Sequence, residues 1–453
     1  MTPTPPAARS FSLWRLLRLS TFQIGSAMGD ILVTSIWNRI MIVNLGMPAW
    51  LVGLLIALRY LLTPLSLWAG FSSDTRPLFG LRRTPYIWLG RGLMALSMPL
   101  LGLSVARFTA ERADTLGWTL ALAFFVLYGT GSLMSGSPFL ALVRDSVPKE
   151  RQGLAVSLME TALIILFPIV AIAFSVAMRE FDVATFWRLV TVTAGVGGFF
   201  WLFSILGIER RGEAAEPTVT TPQPTFGFVA TFRDIWADAR IRHFFTFLAL
   251  ATFAAWAQDA ILEPFGAEVV GQSLGQTTRY SAYWQGATAL VLIAALVIGR
   301  RRRPEQQRRL TQVGLSIMAL GMALLGVAAV TQQARLVTVA LVLFGAGFGV
   351  YTFGGLSLMV VMTSDRQAGA YLGLWTITIL LPRGLGISVG GALRDGLLAA
   401  GLSPALSYGL IFLLEAVGLL AATLALTRVN VLSFARDSGR LSPTDWQVAS
   451  ADI

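Results

Sequence analysis

The sequence predicts an all-α membrane protein with twelve transmembrane helices, arranged as two similar halves of six. Three observations lead to this fold class. The chain of 453 residues is 55% hydrophobic but only 13% charged, about half the charged fraction of a typical soluble domain. Its apolar residues fall into runs of about 20, the length that spans a bilayer. Short motifs also recur in the same order in both halves.

The composition excludes several classes of function. The net charge of +11 lies in short basic segments between apolar runs, where Lys and Arg anchor helices on anionic lipid, so no nucleic-acid partner is expected. The absence of Cys and the single His, His243, argue against thiol chemistry and a His-rich metal site. No nucleotide-binding Gly-x-x-x-x-Gly-Lys motif and no catalytic triad are present, so neither a metal, a nucleotide nor an enzyme activity is expected.

The spans follow the apolar runs. In the first half they are predicted at about 20–43, 48–72, 85–106, 117–143, 153–178 and 185–208. In the second half they are predicted at about 243–266, 279–299, 310–330, 335–362, 370–393 and 404–427. The predicted domains are a tail with an interfacial helix (1–19), an N-terminal bundle (20–208), a linker (209–242), a C-terminal bundle (243–427) and a C-terminal tail (428–453).

The distribution of positive charge predicts the topology. Most of the 35 Lys and Arg residues lie in the two tails and in the loops on their side of the membrane. Cytoplasmic loops carry an excess of Lys and Arg. Both termini are therefore predicted to be cytoplasmic.

An internal repeat relates the two halves. LYGTG at Leu127 matches LFGAG at Leu343, and MGDIL at Met28 aligns with AQDAIL at Ala257. The polar segment Gly70–Arg91, between the second and third spans, contains Gly-x-x-x-Asp, a turn and Gly-x-Arg-Arg. This segment resembles the corresponding loop of major facilitator transporters, whose fold consists of two six-helix halves repeated in parallel.

Three longer stretches are more specific. They are NRIMIVNLGMPAWLVG (38–53), SSDTRPLFGLRRTPYIWLGR (72–91) and ALVRDSVPKERQG (141–153). Together they resemble the PucC/LhaA family, the bacteriochlorophyll delivery branch of the major facilitator superfamily. The resemblance implies a factor that assembles light-harvesting complexes by handling or delivering bacteriochlorophyll or a related tetrapyrrole. It also implies antenna polypeptides, pigment-synthesis enzymes and membrane lipid as partners.

Charged residues inside spans are candidates for function, because a charge at the bilayer centre costs about 3 kcal/mol or more. Asp30 and Arg59 lie at similar depth and are predicted to pair, as are Asp259 and Arg383. Each pair either joins two helices or lines a central cavity for cargo. Further cavity candidates are Trp37, Asn38, Arg39, Trp256 and Glu263.

Three acidic residues inside the predicted spans allow more than one interpretation. Glu263 follows Asp259 by four residues, so both are expected on one helical face, where they would share a proton; the alternative is a solvated Glu263 near the end of its span. Glu160 and Glu415 are expected to be buried acids, and Glu415 is a candidate for a protein contact.

The cytoplasmic loops predict a conformational latch made of ion pairs between helix ends. Its candidate residues are Asp74, Arg82, Arg83, Arg144, Asp145, Arg151, Asp365 and Arg366. The alternative is that these charges only anchor the topology. That alternative explains the Arg residues but not the acidic residues.

The alternative to pigment delivery is a proton-coupled secondary transporter of a small amphipathic solute. If pigment binds, its magnesium needs an axial ligand. His243 is expected at the membrane interface, so a carboxylate, an amide or water would have to supply that ligand.

Overall fold

The computed structural model describes residues 12–148, 151–209, 236–298, 304–362 and 368–437. Apart from one isolated pair of β-type hydrogen bonds, the regular structure of these residues is helical. The first part comprises α1 (Leu13–Ser20), α2 (Phe22–Ile31), two π-helical segments (Leu32–Trp37, Ile40–Asn44), α3 (Ala49–Leu61), α4 (Pro64–Thr75), α5 (Thr84–Ala110), α6 (Thr115–Asp145), α7 (Gln152–Ala177) and α8 (Val183–Ile205).

The second part begins with α9 (Ala239–Trp256), a 3₁₀ turn (Ala257–Ala260) and α10 (Leu262–Glu268). It continues with α11 (Leu274–Ile298), α12 (Pro304–Thr331), α13 (Ala334–Val361), α14 (Ala368–Ala399), α15 (Pro404–Thr427) and α16 (Val431–Asp437). The all-helical prediction is confirmed.

The predicted number of twelve spans is not confirmed. Within the described ranges, nine helices are long and apolar enough to cross a membrane when α3 and α4 count as one, and ten when α9 and α10 count as one span bent by 41°. The predicted first span, 20–43, is divided between α2 and the π-helical segments. The predicted eighth span, 279–299, falls largely within α11.

The chain folds into two compact units. Unit 1 contains Met1–Met47, Leu58–Val219 and Ser273–Ser281; unit 2 contains Pro48–Ala57, Thr220–Gln272 and Ala282–Ile453. The start of α3 thus belongs to unit 2 and the start of α11 to unit 1. Of the predicted linker, residues 210–235 lie outside the described residues, and the helix of the seventh span begins at Ala239.

Asp and Ser side chains cap the N-termini of several helices. Asp114, Asp182, Asp238 and Ser403 each accept a hydrogen bond from a backbone N–H in the first turn of α6, α8, α9 and α15, respectively. Such caps satisfy N–H groups that have no partner within the helix. They fix where each helix starts.

The turn between the second and third spans forms as predicted. Leu78 and Leu81 exchange two backbone hydrogen bonds of 2.9 and 3.0 Å. Phe79 and Gly80 between them have φ values of 54° and 76°, which a two-residue hairpin turn requires. This turn sets the start of α5 close to the end of α4.

Glycines allow close helix packing within each unit. In unit 1, a Cβ at Gly90 would lie 2.5 Å from the carbonyl oxygen of Gly131. In unit 2, a Cβ at Gly347 would lie 2.6 Å from the backbone nitrogen of Met318. The Gly-rich stretches therefore allow neighbouring helices to pack closely, as predicted.

Candidate functional site

The predicted ion pair of unit 1 is present. Arg59 on α3 donates to the carboxylate of Asp30 on α2, and both side chains are mostly enclosed. The guanidinium also stacks on the ring of Tyr60, 4.6 Å from its centroid. Gly129 lies beside the Arg59 backbone, because a Cβ there would be 3.1 Å from the Arg59 Cα. The LYGTG motif therefore makes room for this pair.

Three cavity candidates of unit 1 lie in its core. Trp37 and Asn38 are fully buried, and Arg39 is 6% exposed. The Trp37 ring packs against Phe125 with centroids 4.7 Å apart, and Arg39 donates to the side-chain oxygen of Asn44 at 2.7 Å. In this arrangement these residues pack the region of the π-helical segments.

Arg91 is a buried charge whose surroundings the sequence did not reveal. Its guanidinium lies 4.3 Å from the ring centroid of Phe22 and 5.0 Å from that of Trp201. It also donates to the hydroxyl of Ser26 at 3.3 Å. Aromatic faces attract a cation electrostatically, so these two rings take the place of a carboxylate partner.

Unit 2 contains an aromatic cluster around Trp256. The Trp256, Trp284 and Phe348 rings meet edge to face with centroids 5.8 to 5.9 Å apart. Phe344 extends the cluster. Arg383 from α14 lies over the Trp256 ring, with its Cζ 3.3 Å from the centroid. Arg383 and Trp256 are therefore brought together, whereas the predicted pairing of Arg383 with Asp259 stays a prediction.

The helix that carries the two acids of the seventh span is interrupted between them. Asp259 lies in the 3₁₀ turn and Glu263 in α10, and the helix bends by 41° between them. Because the α-helix is interrupted, a spacing of four residues no longer defines one face. Glu263 is also not solvated, since it is only 3% exposed.

Of the two remaining acids, Glu415 is buried as expected and Glu160 is not. Glu160 on α7 is exposed rather than buried. Glu415 on α15 is buried, at 3% exposure, and lies close to the backbone of Gln258. A side chain enclosed in unit 2 cannot serve as a contact for another protein, so that prediction is wrong.

A polar network at one end of unit 2 escaped the sequence analysis. Arg394 donates to Glu268 at 2.5 Å and to Asp395 at 2.7 Å. Tyr408 donates to the second oxygen of Glu268 at 2.7 Å and accepts from Arg394 at 2.9 Å. Asp395 accepts from the backbone N–H of Trp50 at 2.9 Å. The network joins α10, α14, α15 and the start of α3.

The predicted latch centres on Arg83. Its guanidinium forms an ion pair with Asp74 and lies 3.3 Å from Asp145. It also donates to the hydroxyl of Ser73 at 3.1 Å. This single guanidinium therefore joins the ends of α4 and α6 at the start of α5.

Other latch candidates are placed differently. Arg144 is exposed, and its backbone carbonyl, rather than its side chain, accepts from Gln152 at 3.2 Å. Arg151 is exposed at the start of α7. The second-half candidates Asp365 and Arg366 lie outside the described residues.

Glu209 adds an unpredicted contact to the latch. Its carboxylate accepts from the backbone N–H groups of Arg82, Arg83 and Thr84 at 2.6, 3.1 and 2.8 Å. These N–H groups lie at the positive end of α5, where a carboxylate is stabilised. Glu209, the first residue of the predicted linker, thus covers the start of α5. A Glu separated from its partners by more than 120 positions gives no signal in the sequence.

The family comparison covers most of the chain. Residues 36–434 match the model of the PUCC protein family. A protein named PucC from Rhodovulum sulfidophilum is 29% identical over 405 residues, covering 86% of this chain and 87% of the relative. The bacteriochlorophyll synthase 44.5 kDa chain of Rhodobacter capsulatus is 28% identical over 429 residues, covering 92% and 95%.

Solved structures share the fold at low identity. The nucleoside transporter NupG superposes with a TM-score of 0.67 at 11% identity, covering 92% of this chain and 100% of that chain. The structure of tetrameric PepTSo2 superposes with a TM-score of 0.68 at 12% identity, covering 91% of this chain and 97% of that chain. The chain is therefore a multi-pass membrane protein with the major facilitator fold, and it belongs to the PUCC family.

Proposed function

We propose that this protein is a non-enzymatic assembly factor that handles or delivers bacteriochlorophyll to antenna polypeptides in the membrane. The observation that carries the proposal is the match to the PUCC family over residues 36–434. The proposed location is the inner or intracytoplasmic photosynthetic membrane, with both termini cytoplasmic. Antenna polypeptides and pigment-synthesis enzymes are the proposed partners.

The aromatic cluster of unit 2 supports a flat, apolar cargo. Trp256 and Phe348 are partly exposed at the edge of the cluster, whereas Trp284 is buried behind them. Aromatic rings pack well against the face of a planar macrocycle. Arg383 over Trp256 places a cation beside this surface, where it can contact polar substituents of the ring.

The arrangement of charges favours a carrier over an enzyme. In unit 1, Arg59 pairs with Asp30, Arg83 pairs with Asp74, and Arg91 lies over an aromatic ring. A relative carries the name bacteriochlorophyll synthase chain, so pigment synthesis needs a direct test. Incubation of the purified protein with bacteriochlorophyllide and a prenyl diphosphate should yield no esterified pigment; turnover would overturn the non-enzymatic assignment.

The central experiment is purification of the full chain in mild detergent from a pigment-producing phototroph, followed by absorption spectroscopy. A near-infrared pigment band in the monodisperse fraction is the expected result. The same strain lacking the gene should assemble less antenna complex at unchanged antenna transcript levels. Normal antenna yield in the deletion strain would overturn the proposal.

A proton-coupled transporter of a small amphipathic solute is the second candidate. The observation that favours it is the likeness to solved transporters such as NupG, together with an ion pair inside the spans. Reconstituted vesicles distinguish the two functions. A colourless protein that moves protons together with a solute would support the transporter.

A further inference from the structure

Glu415 is an acidic residue near the middle of an apolar span. The α15 helix, Pro404–Thr427, has a mean hydropathy of 2.2. Glu415 lies about 16 Å from the start of this helix, whose whole length is about 36 Å. Its side chain is 3% exposed, and both oxygens of its carboxyl group are enclosed by residues of unit 2. An ionisable group at this depth is costly and is a candidate for function.

The neighbours of Glu415 show that it faces the break in the seventh span. Three residues before it, Phe412 packs against Phe265 of α10 with ring centroids 5.0 Å apart. Three residues after it, a Cβ at Gly418 would lie 2.9 Å from the Cβ of Ala254 on α9. Residues three apart are neighbours on a helix surface. Glu415 therefore lies between these two contacts, opposite the 3₁₀ turn that separates α9 from α10.

This side of the break lacks hydrogen-bond donors. The carboxyl group of Glu415 lies close to the backbone of Gln258, and no side chain that the structure describes donates to either of its oxygens. Gln258 is also 3% exposed, and its enclosed amide oxygen has no donor among the described residues. Buried polar oxygens normally have a hydrogen-bond partner. Both side chains are therefore short of a donor.

No cation compensates a negative charge on Glu415. The elements that pack against α15 are α9, the 3₁₀ turn, α10, α12 and α14. Their described charged and titratable side chains near the break are Asp259, Glu263 and Arg383, and those nearer the helix ends are Arg240, Arg242, His243, Glu268, Arg308, Arg309, Tyr371, Arg394 and Asp395. None of these forms an ion pair with Glu415. On α15 itself, Tyr408 donates to Glu268. An ionised Glu415 would thus be an enclosed anion without a counter-ion.

We infer that the carboxyl group of Glu415 binds a proton and lies at the break as a neutral acid. An enclosed carboxylate without a cation is so unfavourable that such a group takes up a proton instead. The proton also supplies the donor that is missing, because the O–H of a protonated carboxyl group can donate to an acceptor such as the amide oxygen of Gln258. This proton site goes beyond the proposed function and does not depend on the cargo.

The proton on Glu415 is linked to the conformation of the seventh span. The α9 helix ends at Trp256, directly before the 3₁₀ turn, and the Trp256 ring belongs to the aromatic cluster of unit 2. A neutral Glu415 can stay enclosed beside the turn, whereas an ionised one needs water or a cation. Proton binding therefore stabilises the enclosed arrangement, and a movement of the turn that admits water favours release of the proton.

Infrared spectroscopy of the purified full chain in detergent tests the protonation directly. At neutral pH the wild type should show a C=O stretching band of a protonated carboxyl group that is missing from Glu415→Gln. Glu111→Gln is the matched control, because the Glu111 side chain is exposed between α5 and α6. This control should keep the band. If Glu415→Gln leaves the protonated-carboxyl bands of the wild type unchanged, Glu415 carries no proton.

The pH dependence of thermal unfolding gives the second readout. The unfolded chain releases the proton of a Glu above about pH 4.3, whereas the folded protein keeps it. The unfolding temperature of the wild type should therefore fall relative to that of Glu415→Gln by several degrees between about pH 5 and about pH 8. The difference between wild type and Glu111→Gln should stay constant over the same range.

Three outcomes would overturn the proton site. A difference between wild type and Glu415→Gln that does not change with pH would mean that Glu415 is ionised in the folded protein. A Glu415→Gln protein that does not fold at any pH would mean that the fold requires the carboxylate. Stabilisation of the wild type but not of Glu415→Gln by Na⁺, relative to K⁺ at equal ionic strength, would assign a metal cation in place of the proton.

Discussion

Arg83 at the start of α5 forms an ion pair with Asp74 at the end of α4. The same guanidinium reaches Asp145 at the end of α6, so one side chain joins three helix ends. The two contacts hold these three helix ends together.

Replacing Arg83 tests this latch. Arg83→Ala should lower antenna yield while the protein remains inserted, because Asp74 and Asp145 lose their shared partner. Asp74→Asn should act in the same direction with a smaller effect, since Asp145 keeps its contact. Antenna absorption per cell and immunoblotting of membranes give the two readouts.

Arg144→Ala is the control for the latch, because the Arg144 side chain is exposed and the described contact uses its backbone carbonyl. Equal loss of antenna in Arg144→Ala and Arg83→Ala would show that general positive charge, rather than the Arg83 ion pairs, is what matters.

The Asp30–Arg59 pair should contribute to stability. Arg59→Met leaves the Asp30 carboxylate without its partner in a mostly enclosed site, which we expect to cost about 3 kcal/mol. The double variant Asp30→Asn/Arg59→Met should recover much of this loss, because the remaining group is neutral. Thermal unfolding in detergent measures both. If the double variant is no more stable than Arg59→Met, the ion pair does not contribute to the stability of the protein.

Glu209 should protect the first turn of α5. In Glu209→Ala the N–H groups of Arg82, Arg83 and Thr84 lose their acceptor, at a cost of about 1 kcal/mol. Hydrogen exchange at these amides should therefore accelerate about fivefold. Glu209→Gln, which keeps one acceptor oxygen, should lie between the two. Unchanged exchange in Glu209→Ala would contradict the contact.

Asp238 makes stability depend on acid pH. The hydrogen bond from the Arg240 side chain, together with backbone N–H groups of α9, lowers the pKa of Asp238 below its ordinary value of 3.8. A group whose pKa is lower in the folded state stabilises the fold above the unfolded-state pKa. That contribution is lost as the pH falls through the folded-state pKa.

Asp238→Asn should therefore be less stable than the wild type near neutral pH and equal to it in acid. The measurement is the difference in unfolding temperature between the two proteins across a pH series below pH 7, because other carboxylates titrate in both. A difference that does not change as the pH falls below about 4 would contradict the cap.

Replacing Trp256 tests whether the aromatic cluster of unit 2 binds the cargo. Trp256→Leu removes the ring on which Arg383 stacks and opens the cluster, so the pigment that copurifies should fall several-fold. Trp68→Leu changes an exposed Trp outside the cluster and should leave pigment unchanged. Pigment absorption relative to protein gives the comparison, and equal retention in both variants would remove the cluster from the site.

The sequence predicted the ion pair of Asp30 and Arg59 because two opposite charges at equal depth in neighbouring apolar runs have few other partners. It did not predict the break in the helix between Asp259 and Glu263, since a break in a span depends on packing rather than on apolar content. It predicted the burial of Glu415 but misplaced Glu160, because burial depends on which face of a helix meets its neighbours.

The sequence alone determined the class of protein: long apolar runs, sparse charges and a repeated motif specify a helical membrane fold, since backbone groups in lipid must be bonded within each helix. The tertiary structure alone decided that Arg83 rather than Arg144 joins the helix ends, that Glu209 covers the start of α5, and that Arg394 bonds Glu268. These contacts depend on side-chain direction and on residues far apart in the chain. Side-chain directions and long-range contacts are not encoded in local hydrophobicity or in the spacing of residues.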